Sequence, residues 1–265
     1  MCTLVVGYRV HPRYELLVLA NRDEFYDRPT ARIHAWADAP TVFGGRDLQA
    51  GGTWLGLSRT GRFATVTNYR DPHNIRADAP SRGALTADFL TGTATAQAYL
   101  AALAPHAAAY NGFNLLVYDG THLGYLGNYD PDGPRHLPPG VYGLSNALLD
   151  SPWPKLRALK AATEPLWADE HLPDDTALIE LLDRPETYPD DQLPHTGLPL
   201  ERERQLSALR IHIPRPEGAT AGGYGTVCST LVKLSAAGFE LHEVNRNPYR
   251  THALAPVRVA APRLG

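Results

Sequence analysis

The sequence predicts an α+β fold in which two mostly antiparallel β-sheets pack face to face, with helices on the outer side of each sheet. Short β-rich runs recur along the chain, and tight turns such as Asp119-Gly120 join several of them, which favours antiparallel pairing. The run Leu16 to Leu19 is apolar without alternation, so this strand must be covered on both faces. A sheet with a second sheet on one side and helices on the other meets that requirement.

Length and composition predict one soluble globular domain over residues 1–265. The hydrophobic share is 43%, the charged share is 20% and the net charge is −3. This balance gives no electrostatic reason to expect a nucleic-acid or anionic-membrane partner. The cysteines, Cys2 and Cys228, are too few for a disulfide scaffold, and the eleven histidines form no zinc-binding motif, so we expect no metal and no cofactor. Charged residues interrupt the first apolar run and no long apolar run follows, which predicts a cytoplasmic protein without a membrane span.

The first two residues, Met1-Cys2, carry the strongest chemical signal. A small residue after the initiator Met favours removal of Met1, and we expect Cys2 to become the N-terminus. The α-amine of such a cysteine has a pKa of about 7.7–8.0 and its thiol one of about 8.5, so the amine can accept the thiol proton. The resulting thiolate is a nucleophile. The alternative is that Cys2 is an ordinary small residue beside a start codon.

A β-hairpin is predicted to bring polar residues close to Cys2. Thr3 to Val10 and Glu15 to Ala20 are β-rich runs joined by a four-residue turn, and Asn21-Arg22-Asp23-Glu24 follows the second run. In a hairpin the end of the second strand lies beside the start of the first. Arg22 would then lower the thiol pKa or hold a substrate oxygen, and Asp23 would hold the amine. The alternative is an Arg–carboxylate pair that closes a loop.

Two later strands end in asparagine. The strand predicted from Gly61 to Arg70 ends in Asn68-Tyr69-Arg70, where an amide donor can bind an oxyanion, although Asn is also a common strand terminator. The strand from Gly140 to Leu144 is followed by Asn146. Trp54, which follows a glycine-rich turn, is predicted to lie in the core or to line a pocket.

Helices are predicted around Gly83 to Leu90, Thr95 to Ala104, Trp153 to Trp167 and Thr176 to Leu182. Residues from about 169 to 200 are acidic and rich in proline, which predicts a surface insert or a lid. Glu201 to Leu209 is charged and is expected to face solvent. A hairpin is predicted from Thr226 to Val244, and the tail from Asn245 is expected to be loosely ordered.

Eight short motifs, in order, resemble the NRDE family, also called the transport-and-Golgi-organisation-2 family, and they run from Met1 to about Leu234. They are Asn21-Arg22-Asp23-Glu24, Gly51-Gly52-Thr53-Trp54-Leu55-Gly56, Thr67-Asn68-Tyr69-Arg70, Ser81-Arg82-Gly83, Tyr110-Asn111-Gly112-Phe113-Asn114, Gly143-Leu144-Ser145-Asn146, Pro152-Trp153-Pro154-Lys155 and Tyr224-Gly225-Thr226. Each motif is short, but eight in the same order are specific.

The resemblance implies the N-terminal nucleophile hydrolase fold, a four-layer αββα sandwich, with a distant similarity to bile-salt hydrolases and penicillin V acylases. Carried over by position, the catalytic roles in those enzymes fall on Cys2, Arg22, Asp23, Asn68 and Asn146. We also predict that the substrate contacts are made by Asn21, Trp54, Tyr69 and Arg70.

The sequence departs from that pattern at two places. Arg22 and Asp23 are adjacent, and neighbouring side chains on a strand point to opposite faces. Either the strand has ended there, or one of the two faces away from the nucleophile and Glu24 takes its place. Val227 stands where relatives usually have arginine, so the missing positive charge would come from Arg70 or Arg82, or substrate handling differs.

Two functions from different classes follow from the resemblance. The first is an N-terminal cysteine amidohydrolase or acyl-transfer enzyme that acts on an amide or thioester of a small molecule. The alternative is a non-catalytic protein that binds or carries haem, acyl-CoA or lipid.

Overall fold

The structure is a computed structural model that describes residues 2–250 and 255–264, and within them it contains two seven-stranded sheets. The strands are β1 (Cys2–Tyr8), β2 (Leu16–Phe25), β3 (Thr30–Trp36), β4 (Ala39–Asp47), β5 (Leu55–Ser58), β6 (Phe63–Asn68), β7 (Phe113–Tyr118), β8 (Leu123–Gly127), β9 (Arg135–Leu137), β10 (Gly140–Leu144), β11 (His212–Ile213), β12 (Tyr224–Ser235), β13 (Gly238–Asn245) and β14 (Val257–Pro262). The helices are α1 (Arg82–Thr91), α2 (Ala96–Leu103), α3 (Pro154–Ala168), α4 (Asp175–Glu180) and α5 (Leu200–Gln205), with 3-10 turns at Ala104–Ala109 and Asp190–Gln192.

The two sheets differ in how the chain runs through them. The first has the order β10-β1-β2-β12-β13-β14, with β11 on the end of β12, so it joins the N-terminal hairpin to the C-terminal one. The second has the simple sequential order β3-β4-β5-β6-β7-β8-β9. All the strand pairs are antiparallel.

Three apolar clusters separate the layers. The cluster between the sheets takes alternate residues of β1 and β2, such as Leu4 and Val18, together with Leu57 and Phe63 of the second sheet. The intervening residues of the first sheet, such as Val5 and Leu19, pack instead against α3 and α4. Helices α1 and α2 cover the outer face of the second sheet. The predicted helix–sheet–sheet–helix sandwich is confirmed.

The N-terminal hairpin is present, but its second strand is longer than predicted. Residues 21–24 were expected to follow the strand, whereas β2 continues to Phe25. The extension exists because β12 pairs along the other edge of β2, as far as Glu24 with Gly225 and Phe25 with Tyr224. A second neighbour supplies backbone hydrogen bonds that a two-stranded hairpin lacks.

Several other segments differ from expectation. The segment Glu201 to Leu209 was predicted to face solvent, but Glu203 and all four residues from Leu206 to Leu209 are buried. Strands β3 and β4 were not predicted, because glycines and prolines surround them. In the C-terminal tail, β14 pairs with β13. No described helix has both the length and the apolarity to cross a membrane.

Candidate active site

The thiol of Cys2 and the guanidinium of Arg22 lie on the same face of the first sheet. The two residues are directly paired across β1 and β2, and paired residues in an antiparallel ladder point to the same side. The next pair on that face, Leu4 with Ala20, belongs to the core between the sheets. Cys2 is 9% exposed, at the end of its strand. The predicted proximity of Cys2 and Arg22 therefore follows directly from the register of the hairpin.

The surroundings of the Cys2 thiol disfavour its charged form. Burial raises its pKa above the ordinary value of 9.0, and the Asp23 carboxylate raises it further. Arg22 and the backbone N–H of Asp23 act in the opposite direction but do not reverse the shift. A nucleophilic thiolate at this position therefore needs a base.

Arg22 is held on three sides. Its Nη1 donates to Thr30 Oγ1 at 3.2 Å, its Nη2 lies 3.7 Å from a Glu24 carboxylate oxygen, and its guanidinium carbon lies 4.3 Å from the Trp54 ring centroid. Trp54 is half-buried, and it also packs against the core between the sheets. The structure places Trp54 behind Arg22, in the lining of a small cavity that also includes Val227 and Cys228.

The Asp23 side chain lies on the other face of the sheet from the Cys2 side chain. Because β2 continues through Phe25, its side chains alternate at residues 22–24, and Asp23 accepts a hydrogen bond from Thr226 Oγ1 at 2.7 Å on the helix-facing side. Burial raises the pKa of Asp23, while Lys155, Thr226 and Arg70 lower it. Glu24 returns to the face of Arg22. Asp23 can still serve the amine of Cys2, because that amine is a main-chain group at the end of the strand and can be approached from either face.

A cleft of about 600 Å³ lies at the end of β2, where Glu24 and Phe25 line it, whereas Cys2 and Arg22 do not. Its size is typical of small-molecule sites. Its apolar wall comes from several separate segments and includes Phe25, Ile75, Leu198, Leu206 and Ile213. Its polar wall includes Glu24, Asn68, Arg70, Arg82 and Tyr224. Arg82 is close enough to Cys2 for the two charges to interact, which connects the cleft to the thiol.

Asn68 presents an amide to the cleft that no described residue binds. It stands at the last position of β6 and is half-buried in the cleft wall. Its side chain makes no hydrogen bond within residues 2–250 and 255–264, whereas its main-chain oxygen accepts one from Asn146 Nδ2 at 2.9 Å. The Asn68 amide is therefore available to a ligand in the cleft, as far as the described residues are concerned.

Asn146 supports Asn68 from behind. It is 1% exposed, its Nδ2 binds the carbonyl of Asn68, and its own carbonyl accepts the backbone N–H of Arg70 at 2.7 Å. Both bonds join the end of β10 to the end of β6, that is, the first sheet to the second. The structure thus brings Asn146 to the predicted site, but its amide contacts protein, not the cleft.

The four predicted substrate-binding residues have different positions. Tyr69 and Arg70 line the cleft, and Tyr69 stacks on Tyr129 with ring centroids 4.4 Å apart. Trp54 lies behind Arg22, as described above. Asn21 is on the helix-facing side of β2, where Nδ2 donates to the carbonyls of Leu182 and Leu209 and Oδ1 accepts from Ser229, so its polar atoms are engaged in the fold.

Sequence reasoning missed Lys155, which is buried below the sheet near Asp23. Its Nζ donates to the Leu206 carbonyl at 3.0 Å, and it is 1% exposed. Burial lowers its pKa from 10.5 to about 8, an effect that the Asp23 carboxylate opposes. The motif Pro152-Trp153-Pro154-Lys155 contained this residue, but a lysine at a helix start usually indicates a solvated position. Lys155, Arg70 and Arg82 are basic residues near the candidate site, whereas Val227 lacks the positive charge that was expected at its position.

The comparisons with known proteins identify relatives over almost the whole chain. A family model described as Transport and Golgi organisation 2 matches residues 1–249. The Transport and Golgi organization 2 homolog of Mus musculus is 34% identical over 253 residues, covering 90% of this chain and 90% of that protein. The Homo sapiens homolog is 34% identical over 257 residues, with the same coverage of 90% and 90%.

Solved structures with a similar fold come from amide hydrolases. A mutant conjugated bile acid hydrolase from Clostridium perfringens has a TM-score of 0.44 at 10% identity, covering 99% of this chain and 98% of that chain. The Caenorhabditis elegans ortholog of N-acylethanolamine-hydrolyzing acid amidase has a TM-score of 0.47 at 11% identity, covering 88% and 92%. Membership of a family rests on the sequence relatives. The family model and the relatives at 34% identity show that this chain belongs to the Transport and Golgi organisation 2 family.

Proposed function

We propose that this protein is an N-terminal cysteine hydrolase or acyl-transfer enzyme that cleaves an amide or thioester bond of a small molecule, with Cys2 as the nucleophile. The observation that carries the proposal is the pairing of Cys2 with Arg22 across β1 and β2. A nearby cleft supports it: its wall includes Arg82, which interacts with Cys2, and Asn68, whose amide has no partner among the described residues. Nucleophile, cation and oxyanion donor are the groups that acyl transfer needs.

The first chemical step is proton transfer within one residue. Once Met1 has been removed, the α-amine of Cys2 is free and takes the proton of its own thiol. Burial raises the pKa of the thiol and Arg22 lowers it, so Arg22 favours the thiolate that the amine generates. Asp23 would orient the protonated amine from the helix-facing side.

Acyl transfer then proceeds through a thioester. The sulfur attacks the carbonyl carbon, and Asn68 donates to the oxygen as it becomes negative. When the C–N bond breaks, the ammonium of Cys2 gives its proton to the leaving amine. The same amine then deprotonates a water molecule, which attacks the thioester, releases the carboxylic acid and restores the thiol.

The experiment is to detect the thioester. The protein is incubated with a panel of acyl amides and acyl thioesters, quenched in acid and measured by intact mass. We expect an adduct that maps to the peptide starting at Cys2, and we expect Cys2→Ala to form none while it unfolds at an unchanged temperature.

Cys228 provides the matched control. It pairs with Arg22 from the other side, through β12, and its thiol is also buried. The two cysteines are separated by β2, about 10 Å apart on the spacing of neighbouring strands, which is too far for a disulfide. We expect Cys228→Ala to keep the adduct. Two outcomes would refute catalysis by Cys2: an adduct that still forms on Cys2→Ala protein, or no adduct with any acyl donor on protein that starts at Cys2. Either outcome would favour the carrier alternative, which is then tested by titration with haem or lipid.

A further inference from the structure

The guanidinium of Arg70 is buried at the cleft wall, and only one of its three nitrogens is hydrogen-bonded to a described residue. Its side chain is 5% exposed, and Nη1 binds Glu203 Oε2 at 2.5 Å. Neither Nε nor Nη2 has a hydrogen-bond partner among the described residues. A buried N–H group without a hydrogen-bond partner is destabilising, and more so when it is charged, so an incompletely bonded arginine is unusual unless a ligand completes it.

The two unused nitrogens form one edge of the guanidinium. The Nε–H bond and one N–H bond of Nη2 are parallel, and this edge is the fork that binds both oxygens of a carboxylate. Glu203 holds only the remaining nitrogen, so it leaves the fork intact. Glu203 is itself fixed, because its Oε1 accepts the backbone N–H of Thr196 at 3.0 Å. Arg70 is therefore preset in orientation before any ligand arrives.

Among the described residues, no anion is hydrogen-bonded to the fork, although the Asp23 carboxylate is close enough to interact with the charge of Arg70. The Arg70 ring partner is Trp153, whose ring centroid lies 4.8 Å from the guanidinium carbon, and the backbone N–H of Arg70 is bound to Asn146. Arg82, the second arginine in the cleft wall, binds the Gly112 carbonyl through Nη1. The acids of the cleft wall are committed elsewhere: Glu24 lies beside Arg22 and Asp71 accepts from Tyr129.

We propose that the Arg70 fork is a carboxylate subsite and that the substrate is an amide or thioester bearing a carboxylate close to the scissile carbonyl. This rests on the proposed function. Arg70 follows Asn68 by two residues, so their Cα atoms are at most ~7 Å apart. A substrate whose carboxylate lies a few bonds from the scissile carbonyl, such as an N-acyl amino acid, suits two side chains that stand this close along the chain. The apolar wall of the cleft receives the acyl chain.

The test compares two probes that differ in charge alone: N-octanoylglycine, which carries a carboxylate, and N-octanoylglycinamide, which does not. Binding is measured by calorimetry on Cys2→Ala protein with Met1 removed, so the result is independent of turnover. A charge-assisted bidentate pair corresponds to an affinity difference of at least tenfold in favour of the carboxylate. Equal affinity for the two probes would overturn the subsite.

Arg70→Lys tests the residue itself. Lysine keeps the positive charge beside Glu203 but lacks the fork, and we expect the preference to fall below threefold while affinity for the neutral probe stays unchanged. Arg204→Lys is the matched control, because Arg204 is on the same helix as Glu203 but is bound to Asp190 outside the cleft; it should keep the full preference. An Arg70→Lys protein that retains tenfold selectivity would refute the assignment.

Two further measurements separate the possible failures. If Arg70→Lys does not fold, the double variant Arg70→Gln/Glu203→Gln removes both buried charges together and avoids an unpaired one, and the same loss of selectivity is expected. The acid-quench assay is then run on wild-type protein with both probes. If the protein binds the carboxylate probe selectively but forms no Cys2 adduct, the subsite is supported and only the proposed catalysis is contradicted. If it forms the adduct but shows no selectivity, catalysis is supported and the subsite is contradicted.

Discussion

Replacing Asn68 with alanine should impair acyl transfer strongly while leaving the fold almost unchanged. Its amide makes no hydrogen bond to the described residues, so its removal deletes no such bond to them, and we expect the free energy of unfolding to change by less than about 0.5 kcal/mol. The main-chain oxygen that holds Asn146 is kept. Loss of one oxyanion donor lowers kcat by about 10²–10³, equivalent to about 2.7–4 kcal/mol.

The assay is the rate of Cys2 acylation, followed by rapid acid quench and intact mass, alongside urea unfolding of the same preparations. Asn114→Ala is the opposite case: Asn114 is fully buried, donates to Thr67 and the Ala147 carbonyl, and accepts from Tyr125. It should lose about 1–3 kcal/mol of stability with little change in the acylation rate of the folded fraction. An Asn68→Ala protein that acylates within threefold of wild type would refute the role of this amide.

Three further changes probe the amine, the buried charge and the core. A two-residue N-terminal extension should abolish the Cys2 adduct, because the amine of Cys2 becomes an amide that cannot act as a base. A C-terminal extension is the control and should leave the adduct unchanged. An active N-terminally extended protein would exclude the amine mechanism. In urea unfolding, the free energy of unfolding of wild type minus that of Lys155→Met should rise by about 3 kcal/mol between pH 8 and 10.5. Over this range the lysine has lost its proton in the native state but keeps it in the unfolded state. A flat or falling difference would contradict the lowered pKa of Lys155. Phe63 lies in the core between the sheets, and Phe63→Ala should lower the free energy of unfolding by about 3–5 kcal/mol. Phe25 is 61% exposed, and Phe25→Ala should change it by less than about 0.5 kcal/mol. Similar losses in the two variants would refute the layer assignment.

Local patterns predicted the layers and the centre of the site. The unbroken apolar run in β2 required covers on both faces, and the structure supplies α3 and α4 on one side and the second sheet on the other. The hairpin predicted Cys2 beside Arg22 because hairpin register depends on residues close in sequence. Asn68 was predicted at the end of a strand, which is also visible locally, and it is the last residue of β6.

The features that sequence reasoning missed depend on distant partners. The end of β2 is set by β12, some two hundred residues later in the chain, and this pairing sends Asp23 to the helix-facing side. The burial of Lys155 and the pairing of Arg70 with Glu203 both depend on the segment after residue 200, which its charge pattern had predicted to face solvent. No local signal distinguishes a charged residue with a buried partner from one that is solvated.

The site is assembled from both sheets, and this has a consequence for its chemistry. Cys2 and Arg22 belong to the first sheet and Asn68 to the second, so the distance from the Cys2 sulfur to the Asn68 amide depends on how the sheets pack. Asn146 bonds to the main chain of Asn68 and of Arg70, and thereby ties the two sheets together at this end. Asn146 thus fixes both the proposed oxyanion donor and the proposed carboxylate fork relative to the proposed nucleophile. Its amide can therefore matter for acyl transfer without touching substrate, because positioning errors of about 1 Å cost up to a hundredfold in rate.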